Sequence, residues 1–277
     1  MNRFAIMCLV TILCSCTPGI FEDRSACPSW FSLDCSSVNT DIDRLHIWFT
    51  DENTGKVLLK DTIYSSEYRT HHEVMLPRID ALRYYVFGNI KSSSTVTDDM
   101  TLNSSIVKKG KVSSDSLYYQ ASEKISTHGE FIYDTVKLHK EFATMDFIMD
   151  STPQKGDDIH IDVYGTTAGL YIDRRHVPGN MSISVEDRET TDGNSLFRFR
   201  IMRQENIEDL LIKITGTVDN TPVKIEDFPL GEFLKKANYN MQSDDLKDVT
   251  ITMDMSFNFI SIKIENWTST YPVDIEI

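Results

Sequence analysis

The sequence predicts an all-β protein, two β-sandwich domains in series behind a lipoprotein signal. Three observations predict it. Apolar side chains recur at every second position along most of the chain, the period of a strand with one buried and one wet face. Two packed sheets give such strands a common core. The clearest interruption, Ser151-Thr152-Pro153-Gln154-Lys155-Gly156, carries Pro, Gly and polar residues without periodicity and divides the chain into two parts of similar size. The N-terminus, finally, reads as a processing signal and is set apart from the fold.

That signal begins with a short polar start containing Arg3 and continues as an apolar run from Phe4 to Leu13. The run is too short to cross a bilayer as a helix and has the length of a signal-peptide core. It ends in Leu13-Cys14-Ser15-Cys16. An apolar residue, two small residues and then Cys form a lipoprotein cleavage site, so Cys16 is expected to become the lipidated N-terminus. Cys8 and Cys14 fit less well, because Met7 and Leu13 stand where a small residue is wanted. The expected organisation is a signal peptide over 1–15, a lipidated tether over 16–29, a first sandwich over 30–152 and a second over 153–277. No later stretch is long and apolar enough to span, so acyl chains are the expected attachment to a membrane.

The chain has 277 residues, with 42 acidic against 28 basic side chains and a formal net charge of −14. Such a balance argues against nucleic acid and anionic headgroups as partners and favours solubility outside the cell. Beyond the lipidated Cys16, the tether and first strand carry Cys27 and Cys35. In an oxidising compartment this pair is open to a disulfide, or to two separate small apolar side chains.

Taken in order, Thr17 to Asp23 reads as tether and Trp30 to Val38 as a first strand. Leu45, Ile47 and Phe49 alternate with His46, Trp48 and Thr50; the turn Asp51-Glu52-Asn53-Thr54-Gly55 then leads to Val57 and Leu59, a hairpin. Leu82 to Phe87 is apolar or aromatic on both faces, as in a central strand covered on both sides. Lys91 to Ser105, rich in Ser, Thr, Asp and Asn, reads as a long loop. Ala143, Met145, Phe147 and Met149 are expected to close the first domain. Strands resume at Ile159–Val163, Phe197–Ile201 and Leu210–Ile214, and Leu230 to Asn238 is the one short helix. Val249 to Phe259 alternates cleanly and then changes phase at Ile260, which marks a bulge or a tight hairpin near Ser256 to Ile260. About seven strands are expected in each domain.

Catalytic and metal signatures are absent from the sequence. There is no phosphate-binding Gly loop, no GxSxG elbow and no HExxH. His71 and His72 are adjacent, so a strand would point them to opposite faces. The pairs Asp98-Asp99, Asp157-Asp158 and Asp244-Asp245 lack the order of a calcium loop and read as turn residues. Neither an enzyme nor a cofactor or metal is expected. Trp30, Trp48 and Trp267 are open to a sugar platform, with core packing the commoner fate. Arg174, Arg175, Arg198, Arg200 and Arg203 form a basic group in an acidic chain; a sheet face balanced by nearby carboxylates is the commoner reading.

Three stretches carry a family resemblance: Glu22-Asp23-Arg24-Ser25-Ala26-Cys27-Pro28 behind Cys16, Leu82 to Asn89 (LRYYVFGN), and Ile260 to Trp267 (ISIKIENW). Together they resemble the fimbrillin-A-associated anchor proteins, the FimB-type subunits of type V pili in Gram-negative anaerobes. The first strand, with Ser32-Leu33-Asp34-Cys35-Ser36, is more polar than is usual there. The resemblance implies two transthyretin-like sandwiches and a subunit held on the outer membrane, at the cell surface, by acyl chains on Cys16. It implies partners that are other fimbrial subunits, engaged by strand exchange, the β-augmentation mode. The implied partner segment is the C-terminal stretch with Tyr271, Val273, Ile275 and Ile277. Three alternatives remain at this stage: a surface lipoprotein binding glycans, a shaft or tip pilin activated by cleavage after a basic residue such as Arg24 or Arg44, and a hydrolase using loop carboxylates, whose pairing would be spatial.

Overall fold

A computed structural model describes residues 27–150, 158–185, 189–191, 194–218, 221–254, 259–264 and 267–272. The protein is all-β, with four sheets packed as two sandwiches. The first sandwich is made by β1 (Ser29–Asp34), β2 (Arg44–Asp51), β3 (Lys56–Tyr64), β4 (His72–Leu76) and β5 (Leu82–Gly88). The chain then leaves it for a hairpin, β6 (Ser94–Thr97) and β7 (Ser105–Lys108). It returns for β8 (Tyr118–Ala121), β9 (Phe131–Thr135) and β10 (His139–Lys140). The order is β4-β1-β9 in one sheet and β10-β8-β5-β2-β3 in the other.

Strand alternation explains this packing. Phe31 and Leu33 of β1 point inward with Val74 and Leu76 of β4, and meet Leu45, Ile47 and Phe49 of β2 and Tyr84 and Val86 of β5. Phe31 lies edge-on to Phe49 and Tyr84, with centroids 5.6 and 5.7 Å away, a favoured geometry for aromatic rings. β5 is central, between β8 and β2, and both its faces are covered as its sequence suggests. Its second face, Tyr85 and Phe87, joins Trp48 and Tyr119 in another apolar cluster.

The second sandwich holds β11 (Phe142–Asp150), β12 (Asp158–Tyr171), β13 (His176–Val185), β14 (Glu189–Thr191), β15 (Asn194–Met202), β16 (Leu211–Val218) and β17 (Thr221–Phe228). After helix α1 (Leu230–Lys236) come β18 (Val249–Asp254), β19 (Phe259–Ile264) and β20 (Trp267–Pro272). One sheet runs β14-β15-β11-β18-β19-β20; the other runs β17-β16-β12-β7-β6, with β13 also paired to β12. The short helix is where the sequence places it. Leu230, Phe233 and Leu234 turn one face of it into the core, and Phe233 stacks on Phe228 at 5.2 Å.

Three expectations change. Strand β11 pairs with β15 and β18, so the chain enters the second sandwich by Phe142 and not after residue 152. The expected boundary, 151–156, falls between β11 and β12 and lies outside the described residues. The stretch 91–105 is not all loop: β6 lies within it and pairs with β7, which docks on the end of β12. Its Ser and Thr content hides it, because a short edge strand needs few apolar side chains. As a consequence eight described strands belong to the first sandwich and twelve to the second. The change of phase near residue 256 marks a hairpin: Met253 pairs with Ile260 and Ile251 with Ile262, so both strands keep their apolar side chains inward.

Candidate functional site

The path by which the chain enters the fold is the first feature. β1 is the central strand of its sheet, antiparallel to β4 and parallel to β9, so it is hydrogen-bonded along both edges. Its start is fastened from several sides. The Arg78 guanidinium donates from Nε to the Cys27 carbonyl at 2.9 Å and from Nη1 to the His128 carbonyl at 3.1 Å. The Ser29 hydroxyl, fully buried, is shared between the carbonyls of Thr127 and Gly129, the latter at 2.6 Å. Trp30 N–H donates to Glu130 O at 2.9 Å. Whatever pulls on the chain before Cys27 therefore loads a strand gripped on both sides.

Cys27 and Cys35 do not bridge. Both are free thiols, Cys27 exposed and Cys35 buried in the first core. The extended strand Ser29–Asp34 lies between them, and at ~3.3 Å per residue it holds their Cα atoms much farther apart than the ~7 Å a disulfide allows. Burial pushes the Cys35 thiol up to about 12, the Asp34 carboxylate adding to the effect, so it remains protonated. Cys16 lies outside the described residues.

The last described strand is an edge among the described residues. There β20 pairs with β19 on one side only, from Phe259–Pro272 to Ile264–Trp267, and ends the six-stranded sheet. Tyr271 is half-buried and its ring lies 6.0 Å from Phe233. Val273, Ile275 and Ile277 lie outside the described residues.

The two sandwiches meet at a junction with an ionic centre. Trp48, Tyr85, Phe87 and Tyr119 of the first pack against Ile106, Leu170, Ile172 and Met202 of the second. Beside them Glu141, between β10 and β11, is fully buried and paired with two guanidinium groups. Arg203 Nε reaches its Oε2 at 2.6 Å and Arg174 Nη2 its Oε1 at 2.7 Å. Arg203 also donates to the carbonyls of Met241, Ser243 and Asp244, which ties the 240–248 loop to the junction.

The other basic side chains are held as the commoner reading has it. Arg175 pairs with Asp173 at 2.6 Å, and Arg198 makes a two-bond pair with Asp146 at 2.6 and 2.9 Å. Arg200 donates to the Ser114 carbonyl at 3.0 Å. His72 meets Asp61 at 2.9 Å while its neighbour His71 is exposed. Asp98 and Asp99 receive the N–H groups of Met100 and Thr101, a turn role. Asp245 receives Lys140 N–H at 2.7 Å, across the junction. Among the described residues no group of three His, Cys, Asp or Glu side chains is placed to hold a metal ion. Of the Trp residues, Trp48 is fully buried and Trp30 is exposed.

The family described as fimbrillin-A-associated anchor proteins Mfa1 and Mfa2 matches residues 37–271. The chain belongs to this family. Its members' architecture recurs in solved structures. The fimbrial anchor protein Mfa2 from Porphyromonas gingivalis superposes with a TM-score of 0.64 at 14% identity, covering 87% of this chain and 99% of that one. A candidate polysaccharide-binding protein from Bacteroides thetaiotaomicron gives 0.65 at 15% identity, over 90% and 98%. A candidate adhesin from the same organism gives 0.63 at 14%, over 91% and 100%. At these identities the likeness is one of fold. No curated protein matches the chain. A fimbrillin-A-associated anchor protein belongs among fimbrial anchor and accessory proteins, whose place is the cell surface.

Proposed function

We propose that this chain is the lipid-anchored base of a fimbrium: Cys16 carries acyl chains in the outer membrane, and the C-terminal edge engages a neighbouring subunit. Family membership supports the fimbrial part of this reading. The observation that carries the anchoring part is the position of β1. It is the central, doubly paired strand of its sheet and the first described strand after Cys16. Force applied at the lipid would run along β1, so that many main-chain hydrogen bonds share the load. A chain cut after Arg44 would lose both β1 and the lipid. The shaft or tip alternative requires such a cut.

β-Strand addition to β20 supplies the second contact. An edge strand offers unpaired N–H and C=O groups, and alternate side chains give the choice of partner. Tyr271, Val273, Ile275 and Ile277 are the side chains we assign to that contact.

Replacing Cys16 with Ala in cells tests the reading. Fimbriae should still assemble and should appear in the medium, released from the surface. Fimbriae that stay attached to cells lacking this lipid site would contradict it.

A further inference from the structure

We propose that the outer face of the β4-β1-β9 sheet lies against the bilayer, with an aromatic row on it settling among the headgroups; this rests on the lipid-anchor reading above. The row follows from register. Trp30 sits directly between Met75 of β4 and Phe131 of β9, and Tyr133 stands beside Ser32 in the next row. All four face away from the core and are exposed: Trp30 by 43%, Met75 by 58%, Phe131 by 59% and Tyr133 by 71%. These are most of the large apolar side chains that the described residues leave in solvent. Gathered on one small sheet they form a patch, and a patch marks a contact where scattered residues do not.

The position of the patch selects its occupant. Trp30 is the second residue of β1, Met75 the last but one of antiparallel β4, and Phe131 the first of parallel β9. All three therefore lie at the end of the sheet where the chain arrives from Cys16. Arg78 fixes the point of arrival at the Cys27 carbonyl. Ten residues lie between Cys16 and Cys27, a reach of at most ~40 Å when fully extended over the eleven Cα–Cα steps. A short tether presents the bilayer to this face at high effective concentration.

The chemistry agrees. Trp, Tyr and Phe are the side chains that settle at membrane interfaces, with the ring in apolar surroundings and any polar tip in the headgroups. The row Met75–Trp30–Phe131 is uncharged, and its one side-chain hydrogen-bond donor is the Trp30 indole. A sugar platform needs several convergent polar groups around the rings; here the adjoining row supplies Glu73, Tyr133 and the buried Ser32. Buried rings would also strengthen a lipid anchor, since one acyl chain alone holds weakly.

The test uses the full lipidated protein with Trp267→Phe, reconstituted in phosphatidylcholine vesicles. Trp48 is fully buried, so Trp30 is then the exposed indole. Acyl chains on Cys16 are verified by mass. Vesicles made with brominated phosphatidylcholine are expected to quench most Trp30 emission, iodide in the water to lose its access, and Trp30→Ser to abolish both effects. Lipidated, vesicle-bound protein whose Trp30 is untouched by bromine and still quenched by iodide overturns the proposal alone. Absence of acyl chains overturns it together with the anchor reading. Protection of Trp30 without vesicles, by rising protein concentration or by a polysaccharide, assigns the face to a second copy or to sugar and overturns it as well.

Discussion

Arg203 and Glu141 form a buried two-bond ion pair, with Nε–Oε2 at 2.6 Å and Nη2–Oε1 at 3.3 Å, at the junction of the two sandwiches. Both side chains are withdrawn from water almost completely. An ion pair in that setting is costly to break: without Arg203 the buried Glu141 carboxylate keeps only Arg174, itself partly exposed, as its compensating charge. Arg203→Met is therefore expected to destabilise the protein by about 3–5 kcal/mol. Glu141→Leu combined with Arg203→Met should recover part of the loss, since the buried carboxylate is then gone, while Arg174 loses its Glu141 partner and the carbonyls of Met241, Ser243 and Asp244 still lack their donor. Urea denaturation of the single and double variants measures this, and a double variant as unstable as the sum of the singles would count against it.

The docking of β7 on β12 depends on a missing side chain. A Cβ at Gly169 of β12 would strike the Ile106 carbonyl of β7 and crowd Val107 Cα, all backbone atoms that cannot turn aside. Gly169→Ala is expected to separate the β6–β7 hairpin from the second sandwich. The measurable result is faster amide exchange at Ile106 and Val107, which pair with this part of β12, and a lowered melting temperature.

His46 makes stability depend on pH. Burial, with Lys60 and Arg44 nearby, lowers its pKa to about 4 from the ordinary 6.5. In the folded protein the ring stays neutral, with Nδ1 3.2 Å from the Thr62 hydroxyl. In the unfolded chain it takes up a proton below about 6.5. Stability is thus fully present above that pH and is lost as pH falls toward 4. An NMR titration should place the His46 midpoint near pH 4, and His46→Gln should flatten the stability profile between pH 6.5 and 4. A midpoint near 6.5 would refute the account of its burial.

The two free cysteines should differ in reactivity. Cys27 is exposed, whereas Cys35 is buried with its thiol held in the protonated form. Maleimide treatment of the folded, non-reduced protein should label Cys27 and spare Cys35 until the chain unfolds. Two thiols that both resist maleimide in the unfolded chain until a reductant is added would instead indicate a bond that the extended β1 forbids.

Much of this architecture can be read along the chain because its strands bury one face each. β5 declares two covered faces through Tyr84, Tyr85, Val86 and Phe87, and the structure covers both. The helix announces itself after Pro229, and the change of phase at Ile260 marks the β18–β19 hairpin. What the chain does not declare is pairing at a distance. β11 looks like the end of the first domain because it lies before a Pro-Gly stretch, yet its partners are β15 and β18, more than forty residues on. β6 is too short and too polar to stand out. Glu141 and Arg203 are sixty-two positions apart, and only the fold brings them together. The aromatic row is hidden likewise: Trp30, Met75 and Phe131 come from three separate strands, and register alone aligns them. The outward phase of Phe131 and Tyr133 about Ile132 was the available signal.

The central claim is that the chain remains joined, uncut, from a lipidated Cys16 into β1. The mass of the N-terminal peptide from purified membranes tests it most directly. The account predicts acylated Cys16 continuous with Asp23-Arg24 and with the strand Ser29–Asp34. A free N-terminus beyond Arg24 or Arg44, on protein taken from assembled fimbriae, would contradict it and identify a subunit activated by proteolysis.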